Sequence, residues 1–400
     1  MRIASLTATS SNIHLRFSHL RVAIIHYWLV GMRGGERVLE ELLEIFPQAD
    51  IFTHVYDPES VSPRIRRQTV RETFIGRLPQ ARRRYQSYLP LMPMALEELD
   101  LRGYDLILSS ESGPAKGVIP PAEAFHLCYC HSPMRYIWNM YGEYKETSSF
   151  IKRSLMRPLS HYLRQCDVAG AARVDYFVAN SHAVAKRIEK YYRREADVVP
   201  PPVDIGSFSI GPTEDFYLYC GQLVPYKRAD IAVQACNQLG RRLVVIGAGS
   251  DMNRLKAMAG PTVTILGAQP FEVLADHYSR CRALLFPGEE DFGIVPVEAM
   301  ASGRPVIGYR RGGLCDTVVE GKTGVLFEQQ TVEHLVGAIQ YFERIESSFD
   351  PTTIADHAAS FNKARFRLSI AKIVADRFQL AEFGLPSNQV AVPTQAAVGH

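Results

Sequence analysis

Short apolar runs alternate with amphipathic stretches along most of the chain, and the alternation begins at Arg21. "RVAIIHYWL" (21–29) is a continuous apolar run of strand length. In "VGMRGGERVLEELLEIF" (30–46), Val38, Leu39, Leu42, Leu43 and Phe46 recur at helical spacing behind a turn of Gly31, Gly34 and Gly35. "ADIFTHVY" (49–56), "YDLILSS" (104–110), "FHLCYCH" (125–131) and "YFVANS" (176–181) read as further strands, most of them closing on polar residues. Strand–loop–helix alternation predicts a parallel sheet covered by helices on both faces. In such sheets ligands gather at the carboxyl ends of the strands, so His26, Ser109, Ser110, His131, Asn180 and Ser181 are expected along one rim.

"VVPPPVDIGSFSIGPTED" (198–215) interrupts the pattern, because three successive prolines resist helix and the Gly/Ser stretch after them reads as a linker. The alternation then restarts with strands at 216–223, 242–249, 263–267, 283–288, 304–309 and 323–327, separated by helical patterns at 228–239, 251–258, 271–280 and 293–302. The expected class is α/β: two doubly wound domains, 21–206 and 207–361, facing each other across a cleft. A last helical pattern covers 362–385. Residues 1–20, rich in Ser and Thr and free of acids, are expected to be a loosely ordered extension, and 386–400 a disordered tail.

Composition changes this picture little. The 400 residues are 46% hydrophobic and 22% charged, which suits about two globular domains. A net charge of +3 argues against bulk nucleic-acid binding. The charge is uneven, however: 64–84, "RIRRQTVRETFIGRLPQARRR", holds eight arginines and one acid, Glu72, which reads as a solvated face or a contact for phosphate head groups. The seven cysteines are scattered and odd in number, as for reduced thiols, and "CYCH" (128–131) has no second pair at metal-finger spacing. No apolar run reaches the roughly 18 residues that a spanning helix needs.

Three stretches invite a chemical reading. "VVIGAGSDM" (244–252) has Met252 where a dinucleotide fingerprint needs its third glycine, so a close turn beside a phosphate or base is the better reading. "CGQLVPYKRAD" (220–230) places Lys227 and Arg228 at a helix start, where the backbone is already positive and a nearby anion would be needed. In "FPGEEDFGIVPVEAMASGRPVI" (286–307), Asp291 is expected to cap a helix entered through Phe292-Gly293, leaving the N–H groups of Gly293, Ile294 and Val295 turned into the cleft. Pro296 is tolerated in that first turn because it removes a donor that would be unpaired anyway. Glu298 then falls between Val297 and Ala299, where a carboxylate needs donors such as sugar hydroxyls.

These motifs resemble the family 4 retaining glycosyltransferases of the GT-B fold, and among them the bacterial mannosyltransferases that build lipopolysaccharide and exopolysaccharide from GDP-mannose. The resemblance covers about 21–385. It rests on Glu290 to Glu298 as the Glu-x7-Glu signature, on Gly221 to Lys227 as the phosphate-binding G-x-L-x-x-x-K, and on Gly34-Gly35. It rests also on "YCHSPMRYIW" (129–138) and on "ANSHAVAKRIEKYY" with "VVPPPVD". The resemblance implies an acceptor-binding first domain, a nucleotide-sugar-binding second domain, and a final helix returning to the first. Glu298 would bind the donor ribose and Glu290 the transferred sugar. The Gly293, Ile294 and Val295 amides would meet sugar and diphosphate, and Lys227 with Arg228 would neutralise the leaving diphosphate. His131 would sit beside the donor sugar, and Gly34, Gly35 and Gly221 would let backbone approach the ligands. It implies no cofactor and no metal, a lipid-linked glycan as acceptor, and a cytoplasmic enzyme peripheral at the inner membrane. A UDP-sugar donor and a non-catalytic nucleotide-sugar-binding protein are the alternatives.

One departure matters. Many relatives have arginine where this chain has Gln222, so Arg228 or an arginine of the first domain would have to supply the missing charge. "SSESGPAKGV" (109–118) also differs from the histidine-containing form of the subgroup, which leaves the role of Glu111 open.

Overall fold

In a computed structural model, which describes residues 13–142 and 150–378, the apolar runs become the strands of two separate parallel sheets. The first contains β1 (Val22–His26), β2 (Asp50–Thr53), β3 (Val70–Glu72), β4 (Leu106–Glu111), β5 (Phe125–Cys130), β6 (Tyr176–Ala179) and β7 (Asp197–Val198), in the order β3-β2-β1-β4-β5-β6-β7. The second contains β8 (Tyr217–Cys220), β9 (Leu243–Ile246), β10 (Val263–Gly267), β11 (Ala283–Phe286), β12 (Val306–Tyr309) and β13 (Gly324–Phe327), in the order β10-β9-β8-β11-β12-β13. Every residue of β1, β4 and β5 is buried, as expected of strands covered on both faces. Cys128 and Cys130 alternate to the same face of β5 and pack in an apolar cluster with Phe177, Val184 and Ile188.

The helices that matter below are α1 (Gly34–Ile45), α2 (Phe150–Ala172), α3 (His182–Tyr192), α4 (Ala229–Leu239), α5 (Met252–Met258), α6 (Phe271–Arg280), α7 (Ile294–Ala301), α8 (Val332–Ile345), α9 (Pro351–Ala358) and α10 (Lys363–Arg377). The chain crosses between domains twice, and the two crossings are hydrogen-bonded together: Val203 N–H donates to Phe361 O at 2.9 Å, beside a bridge to Asn362. After the second crossing α10 lies on α1. Phe366, Ile370, Ala371 and Val374 join the core of the first domain, and Arg367 pairs with Glu41 at 2.7 Å.

Residues 13–20 are not the loose extension expected. Ile13–Arg16 forms a helical turn, and Ile13, Phe17 and Leu20 are buried against the first domain, with the Phe17 ring 5.2 Å from that of Phe46. Their i, i+4, i+7 spacing is an apolar helical stripe that the Ser/Thr-rich composition hides. Residues 1–12, the end of the expected final helix and the tail from 386 lie outside the described residues. No helix among the described residues is long and apolar enough to cross a membrane.

Candidate active site

Each sheet reverses its winding beside its first strand: β1 lies between β2 and β4, and β8 between β9 and β11. Crevices for ligands open at such switch points. The loops there are 221–228, after β8, and 287–293, after β11. Gly221, Lys227 and Arg228 come from the first loop, and Glu290, Gly293, Ile294, Val295 and Glu298 from the second and its helix. The facing domain brings up Gly34, Gly35 and His131. The cleft is narrow here: a Cβ on Gly34 would stand 3.2 Å from Cδ1 of Ile294 in the other domain. One on Gly35 would stand 2.8 Å from Tyr27 Oη, 3.5 Å from His26 Cε1 and 3.7 Å from His131 Nε2. The two glycines thus let backbone lie where side chains would fill the crevice.

Helix α7 starts from Gly293, whose φ of +87° is a left-handed conformation that a side chain would strain. Asp291 does not cap this helix, contrary to the local expectation. Its carboxylate accepts from Arg187 of α3 in the facing domain, because a charge-assisted pair outcompetes a backbone N–H. The first amides of α7 therefore have no side-chain cap, and they carry the positive end of the helix. The loop before them is held from behind: Gly313 N–H donates to Glu290 O at 2.9 Å, and a Cβ on Gly312 would fall 2.1 Å from that same oxygen.

Lys227 Nζ meets Glu290 Oε1 at 2.5 Å, so the strand-end lysine and the first signature glutamate are one pair. Burial alone would lower the Lys227 pKa, but the Glu290 carboxylate outweighs it and holds the ammonium above its usual range. Arg228 does not join them. Its backbone is left-handed, with φ +54°, and its guanidinium turns to Asp230 (3.1 Å) and Gln330 (3.4 Å). Glu298 is buried on α7, where it accepts from Tyr278 Oη at 3.2 Å and faces Arg37 of α1 at 3.7 Å. Burial raises its pKa, while Arg37 and Tyr278 pull it back. A carboxylate offers about four acceptor directions, so Glu298 keeps capacity for ligand hydroxyls.

His131, at the end of β5, lies 3.0 Å from Ser110 Oγ at the end of β4. Burial pushes its pKa down to about 3, so the imidazole is neutral at physiological pH and serves as a hydrogen-bonding group rather than a cation. Behind Gly35, His26 lies 3.6 Å from Glu36, which also accepts from the Arg33 N–H at 2.8 Å.

Sequence reasoning missed the groups that join the domains. Arg187 meets both Asp291 and, at 3.3 Å, Glu289; Arg135 lies 3.7 Å from Asp291. Ser181 Oγ donates to Asp291 O, and the His182 N–H donates to Asp316 at 2.7 Å. The two acids beside Glu290 thus anchor its loop to the facing domain. Gly247 and Gly249 of the broken fingerprint have a local role: Cβ atoms there would fall 1.8 Å from Gly221 O and 2.0 Å from Leu223 O. Among the described residues, no three His, Cys, Asp or Glu side chains gather as metal ligands would.

Residues 32–207 match the family described as Glycosyltransferase Family 4, and residues 204–356 match Glycosyl transferases group 1. The two matches run end to end over 32–356, so each domain is similar to a glycosyltransferase family of its own. The chain is similar to a D-inositol 3-phosphate glycosyltransferase of Segniliparus rotundus, 32% identical over 192 residues, which is 40% of this chain and 43% of that relative. It is also similar to an uncharacterized glycosyltransferase of Methanocaldococcus jannaschii, 30% identical over 154 residues, 37% of this chain and 43% of the relative. The chain thus spans less than half the length of these curated relatives. Neither is named a mannosyltransferase. Among solved structures, Anabaena HepE in complex with UDP and glucose matches with a TM-score of 0.64 at 17% identity, over 89% of this chain and 100% of that one. Sucrose-phosphate synthase from Thermosynechococcus elongatus matches with a TM-score of 0.68 at 19% identity, over 90% of this chain and 100% of that one. At such identities the likeness establishes the fold.

Proposed function

We propose that the chain transfers a hexosyl group from a nucleotide-sugar donor to a hydroxyl of a glycan acceptor, with retention of configuration and without a metal ion. One observation carries this reading. Glu290 and Glu298 flank the uncapped start of α7, Lys227 adjoins Glu290, and Gly34-Gly35 close the crevice from the other domain. The diphosphate would lie at the helix start and beside Lys227, the ribose hydroxyls at Glu298, and the sugar at Glu290. The anomeric C–O bond to the diphosphate breaks as a new C–O bond to the acceptor forms on the same face. The acceptor proton passes to a diphosphate oxygen. Charge gathers on the leaving group, where Lys227 and the α7 amides would meet it as preorganised stabilising groups.

The donor we favour is GDP-mannose, from "DFGIVPVEA" together with "CHSPMRY". A UDP-sugar is the second reading, favoured by the UDP and glucose bound in the similar HepE structure. Parallel incubations with GDP-mannose and UDP-glucose, following release of the nucleoside diphosphate, separate the two. Release from neither, with acceptor glycans supplied, would overturn the proposal.

The acceptor in this reading is a lipid-linked glycan at the cytoplasmic membrane face. The arginines of 64–84 support it, since all eight are exposed and Leu91 and Met94 are exposed nearby. Arg64, Arg71 and Arg82 pair with Glu44, Asp50 and Asp57, which leaves Arg66, Arg67, Arg77, Arg83 and Arg84 outside these ion pairs. Liposomes containing anionic lipid should retain the protein at low salt and release it at high salt. Equal recovery from neutral and anionic liposomes would contradict this docking.

A further inference from the structure

We propose that Arg135, from the first domain, supplies the diphosphate-binding cation that Gln222 does not, an inference that rests on the donor site proposed above. The other site cations described above are committed. Lys227 is held by Glu290, Arg228 by Asp230, and Arg187 by Asp291 and Glu289. Arg37 faces Glu298 at the ribose end. Gln222 is exposed at the mouth of the 221–228 loop and brings no charge. A diphosphate entering here needs more than one positive side chain, because its negative charge must leave water.

Arg135 is the least committed of these. Among the described residues its one ion pair, to Asp291, is long at 3.7 Å, and that carboxylate already has Arg187. Its Nε is buried with no hydrogen-bond partner. Its guanidinium carbon stands 5.8 Å from the ring centre of Tyr226, the residue before Lys227, so it reaches across the cleft to the loop that carries the phosphate-site lysine. A buried guanidinium N–H without an acceptor is costly, and an anion in the crevice would satisfy it. The stretch holding Arg135 is fixed from below: the Trp138 indole donates to Asp167 at 2.7 Å, and Arg164 donates to Ile137 O at 2.7 Å. The cation is therefore pre-placed, facing the loop that carries Lys227.

Calorimetry on the full chain tests this with the nucleoside, its monophosphate and its diphosphate, for whichever base the wild type binds. Arg135→Ala should weaken the diphosphate by about tenfold, the loss expected of one charge-assisted hydrogen bond, and leave the nucleoside unchanged. Gln222→Arg in the Arg135→Ala background should restore the diphosphate affinity, which a purely structural role for Arg135 would not allow. Equal weakening of nucleoside and diphosphate, or unchanged diphosphate binding in Arg135→Ala, would overturn the inference while leaving the donor site intact. Absence of nucleotide binding by the wild type would instead overturn the function on which it rests.

Discussion

Replacing Lys227 by alanine is expected to lower the transfer rate by on the order of 10²–10³-fold, the usual effect of removing one preorganised group that meets developing charge. Two features put the effect on the chemistry rather than the fold. Lys227 sits on the loop after β8 at the switch point, outside the apolar core of its domain. Its ammonium is kept charged by Glu290, so in the proposed transfer it would meet the leaving group already protonated. The same change leaves Glu290 without its cation, which should also disturb the hold on the transferred sugar. The rate of nucleoside diphosphate release in the presence of acceptor is the measurement. Near-normal turnover would remove Lys227 from the mechanism.

The largest effect on stability is expected from Lys116→Met. Lys116 is fully buried between Glu111, at 2.9 Å, and Asp167, which also accepts from Trp138 and Tyr192. Removing the cation strands two carboxylates in the interior, a loss of about 3–5 kcal/mol. Burial already pushes Glu111 up to about 7 from an ordinary 4.5, although Lys116 opposes it. The folded state thus binds the Glu111 proton more tightly than the unfolded chain does. The stability this contributes is present below about 4.5 and is lost as pH rises through about 7. Without Lys116 the carboxyls should hold their protons more tightly still. Urea unfolding should therefore show a larger deficit at pH 8 than at pH 5. A small, pH-independent deficit would mean that the cluster relaxes or admits water. The cluster also answers the open question about Glu111: it anchors the end of β4 and, through Asp167 and Trp138, the stretch that carries His131 and Arg135.

Much of this was legible in the sequence, for a physical reason. Strands buried on both faces must be apolar throughout, so "VAIIH" and "LILSS" stand out, and crossover helices declare themselves by spacing. Glu298 was visible because a carboxylate among apolar helix residues demands a partner. Local reasoning failed where partners come from the other domain. Asp291 has the spacing of a cap, and only the fold reveals Arg187 in front of it. Arg37, Tyr278 and Arg135 sit in stretches whose local pattern is that of ordinary helix or loop. Arg228 is expected at the phosphate because it follows Lys227; the left-handed turn at that residue sends its side chain to Asp230. Phe17 and Leu20 are legible by spacing alone, which the Ser/Thr-rich composition around them masks.

In the proposed function the crevice beside α7 holds a nucleoside diphosphate by its ribose at Glu298 and by its phosphates at Lys227. Titration calorimetry with GDP, UDP and ADP tests it most directly, on wild type and on Glu298→Ala. One nucleotide should bind the wild type at a single site, and its affinity should fall by about tenfold or more in Glu298→Ala, as for a lost hydrogen-bonded carboxylate. Binding of none of the three, or equal binding by the two proteins, would contradict the account.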